Sequence, residues 1–137
     1  MVRPEVLPWL RLARVYQKIV HAMVEHLRPY GLTGAQFDVL AQVGAAEGRT
    51  QQELAEALLT TKGNVCQLLD RMEAGGLLRR VQDGRVNRLH LTPAGRRLHD
   101  LVVPAHEAWV AGRFAALTRE ERAFLSAVLR RLERSSP

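Results

Sequence analysis

Between Thr50 and Gly95 the chain reads TQQELAEALLTTKGNVCQLLDRMEAGGLLRRVQDGRVNRLHLTPAG, and no other stretch restricts the fold as much. Two short helical runs flank a tight turn at Thr60-Thr61. Two weakly alternating runs, 77–82 and 86–91, then flank Asp83-Gly84, a dipeptide that favours tight hairpins. The order is helix, turn, helix, and then a hairpin loaded with arginine.

The six threonines mark where helices begin. Thr33, Thr50 and Thr118 precede Gln36, Glu53 and Glu121 by three residues each. That is the capping-box spacing, in which a hydroxyl and a returning side chain satisfy amides left unpaired at a helix start. Thr92 stands before Pro93, as an N-cap before a proline at the first helical position. None of the six needs a catalytic explanation. These signals divide the chain into six helices and one hairpin. The helices run from about Pro4 to Arg28, Thr33 to Ala46, Gln51 to Leu58, Thr61 to Ala74, from Pro93 with a kink near Pro104, and from Arg119 to Arg134. Gly75-Gly76 supplies the positive-φ residue that commonly closes a helix. The predicted class is mostly α, a winged helix of α+β type with six helices and a two-stranded β-wing.

The first helix is apolar on two faces. Leu12, Tyr16, Ile19, Met23 and Leu27 form one stripe, and Val6, Leu10, Ala13, Val20 and Val24 the other. The sixth carries Phe124, Leu125, Val128, Leu129 and Leu132 at helical spacing. A helix apolar on two faces is usually buried on both. The expectation is therefore a homodimer held by the first, fifth and sixth helices. Residues 1–137 read as a single protomer, with 31–97 as the winged helix-turn-helix region and 1–30 and 98–137 as dimerisation helices.

Composition excludes several other classes. Hydrophobic residues at 47% and charged residues at 25% describe a globular protein, not a disordered tail. No apolar run nears the roughly 20 residues of a spanning helix, so no membrane partner is expected. Arginines interrupt the N-terminal MVRPEVLPWLRLAR, which is not read as a secretory signal. A single cysteine excludes an intramolecular disulfide and fits a reducing cytoplasm. The only serines are Ser126, Ser135 and Ser136, and there is no Walker loop, dinucleotide fingerprint or HExxH. Neither an enzyme nor a cofactor is expected.

Charge is informative once it is located. Residues 49–97 carry nine basic and five acidic side chains, within a whole-chain net charge of +6. There Arg79, Arg80, Arg85, Arg88, Arg96 and Arg97 face only Asp83. Charge alone leaves a polyanion-binding surface and a solvated basic face about even. Position decides between them. In the fourth helix Val65, Leu68, Leu69 and Met72 follow a helical stripe and should face the core, leaving Lys62, Gly63, Asn64, Gln67 and Arg71 on the other side. Asn and Gln can bond an adenine edge in two places, Arg can do so to guanine, and Lys binds phosphate as a mobile charge. Gly63 lets a duplex approach closely, and free amides near Thr60 and Thr61 favour a phosphate. Arg85 projects from the hairpin tip with Arg88 two pleats behind. A guanidinium there suits a narrow minor groove, and Asp83 is placed to hold it in a bidentate pair.

LTGAQFDVL (32–40), TQQELAEAL (50–58), TKGNVCQLLDRMEAGGLLR (61–79), the Asp83-to-Arg85 wing and LTPAG (91–95) together resemble the MarR family of winged-helix transcriptional regulators. The resemblance covers about the middle half of the chain; the other helices agree in placement more than in motif. It implies an obligate dimer on palindromic double-stranded DNA, released by a small aromatic or anionic effector. By position it makes Thr60, Thr61, Lys62, Asn64, Gln67 and Arg71 the recognition-helix contacts. It also implies that Gln51 touches the DNA backbone and that Arg85 is the minor-groove arginine, oriented by Asp83. One departure stands out: the segment between Arg80 and Asp83 is shorter than in many relatives, which implies a wing of shorter reach.

Other residues admit two readings each. Cys66 on the fourth helix is either a redox-sensing thiol or a small packing side chain. His21, His26, His99 and His106, with Glu25 or Glu107, are either a metal cluster or ordinary surface and interface residues, while His90 joins no ligand spacing. No metal site is expected. Trp9, Tyr16, Phe37 and Trp109 either line an effector pocket or pack in core and interface. Alternatives for the whole chain are a redox- or metal-sensing regulator of the same fold, or a winged helix used for protein–protein assembly.

Overall fold

The computed structural model describes residues 1–137. Six helices and two strands follow in the order α1 (Leu7–Leu27), α2 (Gly34–Ala45), α3 (Gln51–Ala57), α4 (Lys62–Ala74), β1 (Leu78–Asp83), β2 (Val86–Leu91), α5 (Pro93–Arg113) and α6 (Arg119–Ser135). Short 3-10 turns at Pro4–Val6 and Arg28–Tyr30 flank α1; the first lies inside the helix suggested from about Pro4, and the second begins where that helix was expected to end.

The threonine signals are realised in detail. Thr33, Thr50 and Thr118 each form a complete capping box with Gln36, Glu53 and Glu121. The Thr61 hydroxyl accepts from the Asn64 amide and caps α4. Each such cap contributes about 1 kcal/mol. At the other end of α4, Gly76 takes φ 77°, and Leu77 N–H and Gly76 N–H donate to the carbonyls of Met72 and Glu73. These two bonds are the Schellman closure. The turn between α3 and α4 repeats the pattern with Leu59, at φ 52°, in the glycine position. That side chain is 95% exposed, so a strained apolar residue sits in the turn ahead of α4.

The chain divides into two compact units, Met1–Pro104 and Ala105–Pro137. The sequence drew its regional boundary at 97/98. In the first unit Val65, Leu69 and Met72 of α4 are buried with Leu40 and Val43 of α2, Leu54 of α3, Leu78 and Leu89 of the strands and Val102 of α5. Leu68 is partly buried against that cluster. In the second unit the Arg113 guanidinium lies 4.4 Å from the centre of the Trp109 ring, and Arg122 donates to the Leu117 carbonyl. α5 continues through Pro104.

The hairpin pairs antiparallel with Leu78 opposite Leu91 and Asp83 opposite Val86. Its two turn residues are therefore Gly84 and Arg85, not Asp83 and Gly84. Gly84 at φ 62° takes the first central position, as in a type II′ turn, whose twist matches that of the strands. Asp83 consequently belongs to the ladder and Arg85 to the turn.

Candidate nucleic-acid interface

The core stripe of α4 leaves Lys62, Gly63, Asn64, Gln67 and Arg71 exposed along the opposite side. Nothing lies within 4 Å of where a Gly63 side chain would begin, so the first turn of α4 is open to close approach. The Asn64 carboxamide donates to the Thr60 hydroxyl at 3.2 Å, which orders the entry to the helix.

Ion pairing then sorts the charges. Arg80 Nη2 lies 2.6 Å from Asp70 and 2.8 Å from Glu73. The Arg80 backbone N–H and guanidinium together hold the Glu73 carboxyl below the usual carboxylate range. In β2, Arg88 Nε donates to Asp83 at 2.7 Å and its Nη1 donates to the Gly48 carbonyl at 2.9 Å. Arg96 meets Glu47 at 3.1 Å. Arg80, Arg88 and Arg96 are thus structural, and the basic cluster is smaller than its sequence implies. Every carboxylate on α4 and the wing, namely Asp70, Glu73 and Asp83, is bound by an arginine. Lys62, Arg71, Arg79 and Arg85 form no ion pair.

Two sequence assignments are corrected here. Asp83 does not orient Arg85. Asp83 and Arg88 are diagonal neighbours on one face of the ladder, within reach of a long side chain. Arg85 lies beyond the ladder, exposed at the tip. Nor does Gln51 present itself to a DNA backbone: it is 6% exposed. Its Nε2 donates to Cys66 Sγ at 3.1 Å, and its Oε1 accepts from Asn87 Nδ2 at 3.1 Å. Cys66 is therefore half-buried under α3 and engaged by an amide. These groups line a cleft of about 290 Å³, together with Lys62, Arg80 and Arg85.

The wing is anchored at its base. Gly48 N–H donates to Leu89 O at 2.8 Å and Leu89 N–H to Arg49 O at 2.9 Å, with a further bridge between Thr50 and Arg88. Glu47 accepts from the Leu91 backbone N–H at 2.8 Å. That bond, with Arg96, keeps its carboxyl below the usual range. Because both glutamate pKa values are lowered by folding, these ties stand above the ordinary carboxylate value and are lost as pH falls through the lowered ones. The Glu47–Arg96 contact joins residues far apart in the chain and has no local signal.

The four aromatics are divided between the two units, Trp9, Tyr16 and Phe37 in the first and Trp109 in the second. Phe37 is 6% exposed in the core, whereas Trp9 and Tyr16 of α1 are 65% and 68% exposed. Phe37 packs inward because α2 turns it toward the core stripe of Leu40 and Val43. Trp109 belongs to the second unit and stacks on His106. A cavity of about 350 Å³ beside the α1–α2 junction is lined by Val24, Arg28, Gly31, Leu32, Thr33 and Gly34, and by none of the four aromatics. No three His, Cys, Asp or Glu side chains gather into a group able to hold a metal ion. No helix is long and apolar enough to cross a membrane.

A helix-turn-helix with an exposed polar and cationic face, followed by an anchored wing tipped with a free arginine, defines a winged-helix DNA-binding protein. A MarR family model matches residues 30–88. An uncharacterised HTH-type transcriptional regulator of Bacillus cereus is 34% identical over 113 residues, covering 82% of this chain and 77% of its own. The HTH-type transcriptional regulator PecS of Dickeya dadantii is 30% identical over 129 residues, covering 90% and 78%. The crystal structure of Streptococcus pneumoniae FabT in complex with DNA superposes with a TM-score of 0.77 at 25% identity, over 90% of this chain and 91% of that one. The chain belongs to the MarR family of winged-helix transcriptional regulators, which are DNA-binding proteins and not enzymes.

Proposed function

We propose that this regulator is a cytoplasmic homodimeric repressor of a palindromic operator, released by a small aromatic or anionic effector. In this reading α4 enters the major groove and the wing reaches the minor groove. Thr60 and Thr61 face the duplex from the turn ahead of α4, Lys62, Asn64, Gln67 and Arg71 from α4 itself, and Arg85 contacts it from the wing tip. Asp83 and Arg88 serve it indirectly, by bracing the hairpin.

The observation that carries the reading is the sorting of charge. The three carboxylates of α4 and the wing are all paired, Asp70 and Glu73 sharing Arg80 and Asp83 holding Arg88, which leaves one negative charge against the four cations of Lys62, Arg71, Arg79 and Arg85, none of them in an ion pair. A duplex approaching this surface therefore meets a net excess of unpaired, mobile cations.

Dimerisation is supported by apolar surface left uncovered in a single chain. Trp9, Tyr16 and Val24 on α1 are 65%, 68% and 52% exposed, and Phe124 and Leu132 on α6 are 72% and 54% exposed. Large exposed apolar patches mark association surfaces. Light scattering at micromolar concentration should give twice the protomer mass, and a monomeric mass would overturn the dimer. The effector's chemical class is proposed from the family resemblance alone.

A further inference from the structure

Gln51 is the one polar residue in the buried class, and it sits where the wing meets the recognition helix. Its carboxamide opens α3 but bonds outward, to Cys66 of α4 and to Asn87 of β2. The amide is a rigid plane carrying donor and acceptor side by side, and leaving it unpaired in a buried place is unfavourable. Both bonds are therefore made together, and each partner is fixed relative to the other. Arg80 already ties β1 to Asp70 and Glu73, in the C-terminal half of α4. Gln51 ties β2 to the N-terminal half, near Lys62. Asn87 lies opposite Gln82, one rung from the end of the ladder, so this bond acts close to the wing tip. The cleft that results has Lys62 on the α4 side and Arg85 on the wing side.

We propose that Gln51 is a positioning residue, setting the separation of α4 and the wing so that Lys62 and Arg85 grip one DNA backbone strand from two sides. The inference rests on the reading of Arg85 as a DNA contact. Gln51 touches no DNA in this scheme and acts through Asn87 and Cys66.

A double-mutant cycle on one duplex at fixed salt separates positioning from simple burial. Asn87 is exposed, so Asn87→Ala removes little packing, but it strips the Gln51 oxygen of its donor; binding is therefore compared well below the thermal midpoint of every variant. Arg85→Ala alone should weaken binding about 10-fold, and Asn87→Ala about 5-fold, although the second removes neither cation. The double variant should bind within about 2-fold of Arg85→Ala, because a wing out of place has already lost that contact. Asn87→Ala should also lower the salt slope as Arg85→Ala does. Gln51→Met, which keeps the length and removes the amide, should reproduce Asn87→Ala and add nothing to it. Additive losses, or native affinity and slope in Asn87→Ala, would overturn the positioning role. A silent Arg85→Ala would instead defeat the DNA-contact reading, and the inference with it.

Discussion

Gly95→Ala should destabilise the protein by about 3 kcal/mol, read as a lowered urea midpoint at unchanged slope. A Cβ at position 95 would overlap the Leu77 carbonyl oxygen and lie 2.9 Å from its carbon. Both are backbone atoms, so no rotamer change relieves the overlap. Leu77 cannot retreat easily. Its N–H closes α4 on Met72, and its carbonyl accepts from Thr92 N–H at 3.1 Å. Thr92 in turn donates to the Gly76 carbonyl and accepts from Gly95 N–H at 3.0 Å, as the cap of α5. Shifting any of these atoms opens the junction that joins the end of α4 to the strands and α5. A variant with a wild-type midpoint would show that the junction is far more compliant than its bonds imply.

Gln67→Ala and Arg85→Ala should damage DNA binding in two distinguishable ways. Gln67 is exposed on the outer side of α4, and Asp70, the nearest carboxylate along that side, is held by Arg80. A glutamine there discriminates adenine by paired hydrogen bonds, and its loss should lower the ratio of operator to random affinity about 10-fold. Affinity for random DNA should hardly change. Arg85 supplies charge and carries little base information, so Arg85→Ala should weaken both duplexes and reduce the salt slope by roughly one phosphate contact. Titrations of both variants at several salt concentrations check the two signatures. Equal losses on operator and random DNA for Gln67→Ala would remove it from base recognition.

The local part of this architecture was legible because it is written in local chemistry. Capping boxes act over three residues, and the stripe of Val65, Leu68, Leu69 and Met72 repeats within one helix, so both could be read without knowing the fold. The wing was found but shifted in detail, because a hairpin's register depends on which residue takes positive φ, and that was Gly84 at the first turn position. One step in register moved Asp83 from the turn to the ladder and gave it Arg88 as partner. Gln51 was misassigned for a different reason. Its DNA-backbone contact was carried over by position from the family resemblance, whereas its burial depends on the approach of Asn87, 36 residues away. The arginine count misled in the same way: Arg80 pairs with carboxylates on α4, and Arg96 with Glu47 across 49 residues of chain. Charge in a sequence is a tally, whereas charge on a surface is what remains after pairing.

Base-specific recognition by the dimer is the central claim, and footprinting on genomic DNA tests it most directly. The purified protein should protect a palindrome whose two half-sites are centred about 10 base pairs apart, and should do so at salt concentrations where random duplex is released. Binding that spreads evenly over all sequences and vanishes uniformly with salt would contradict it.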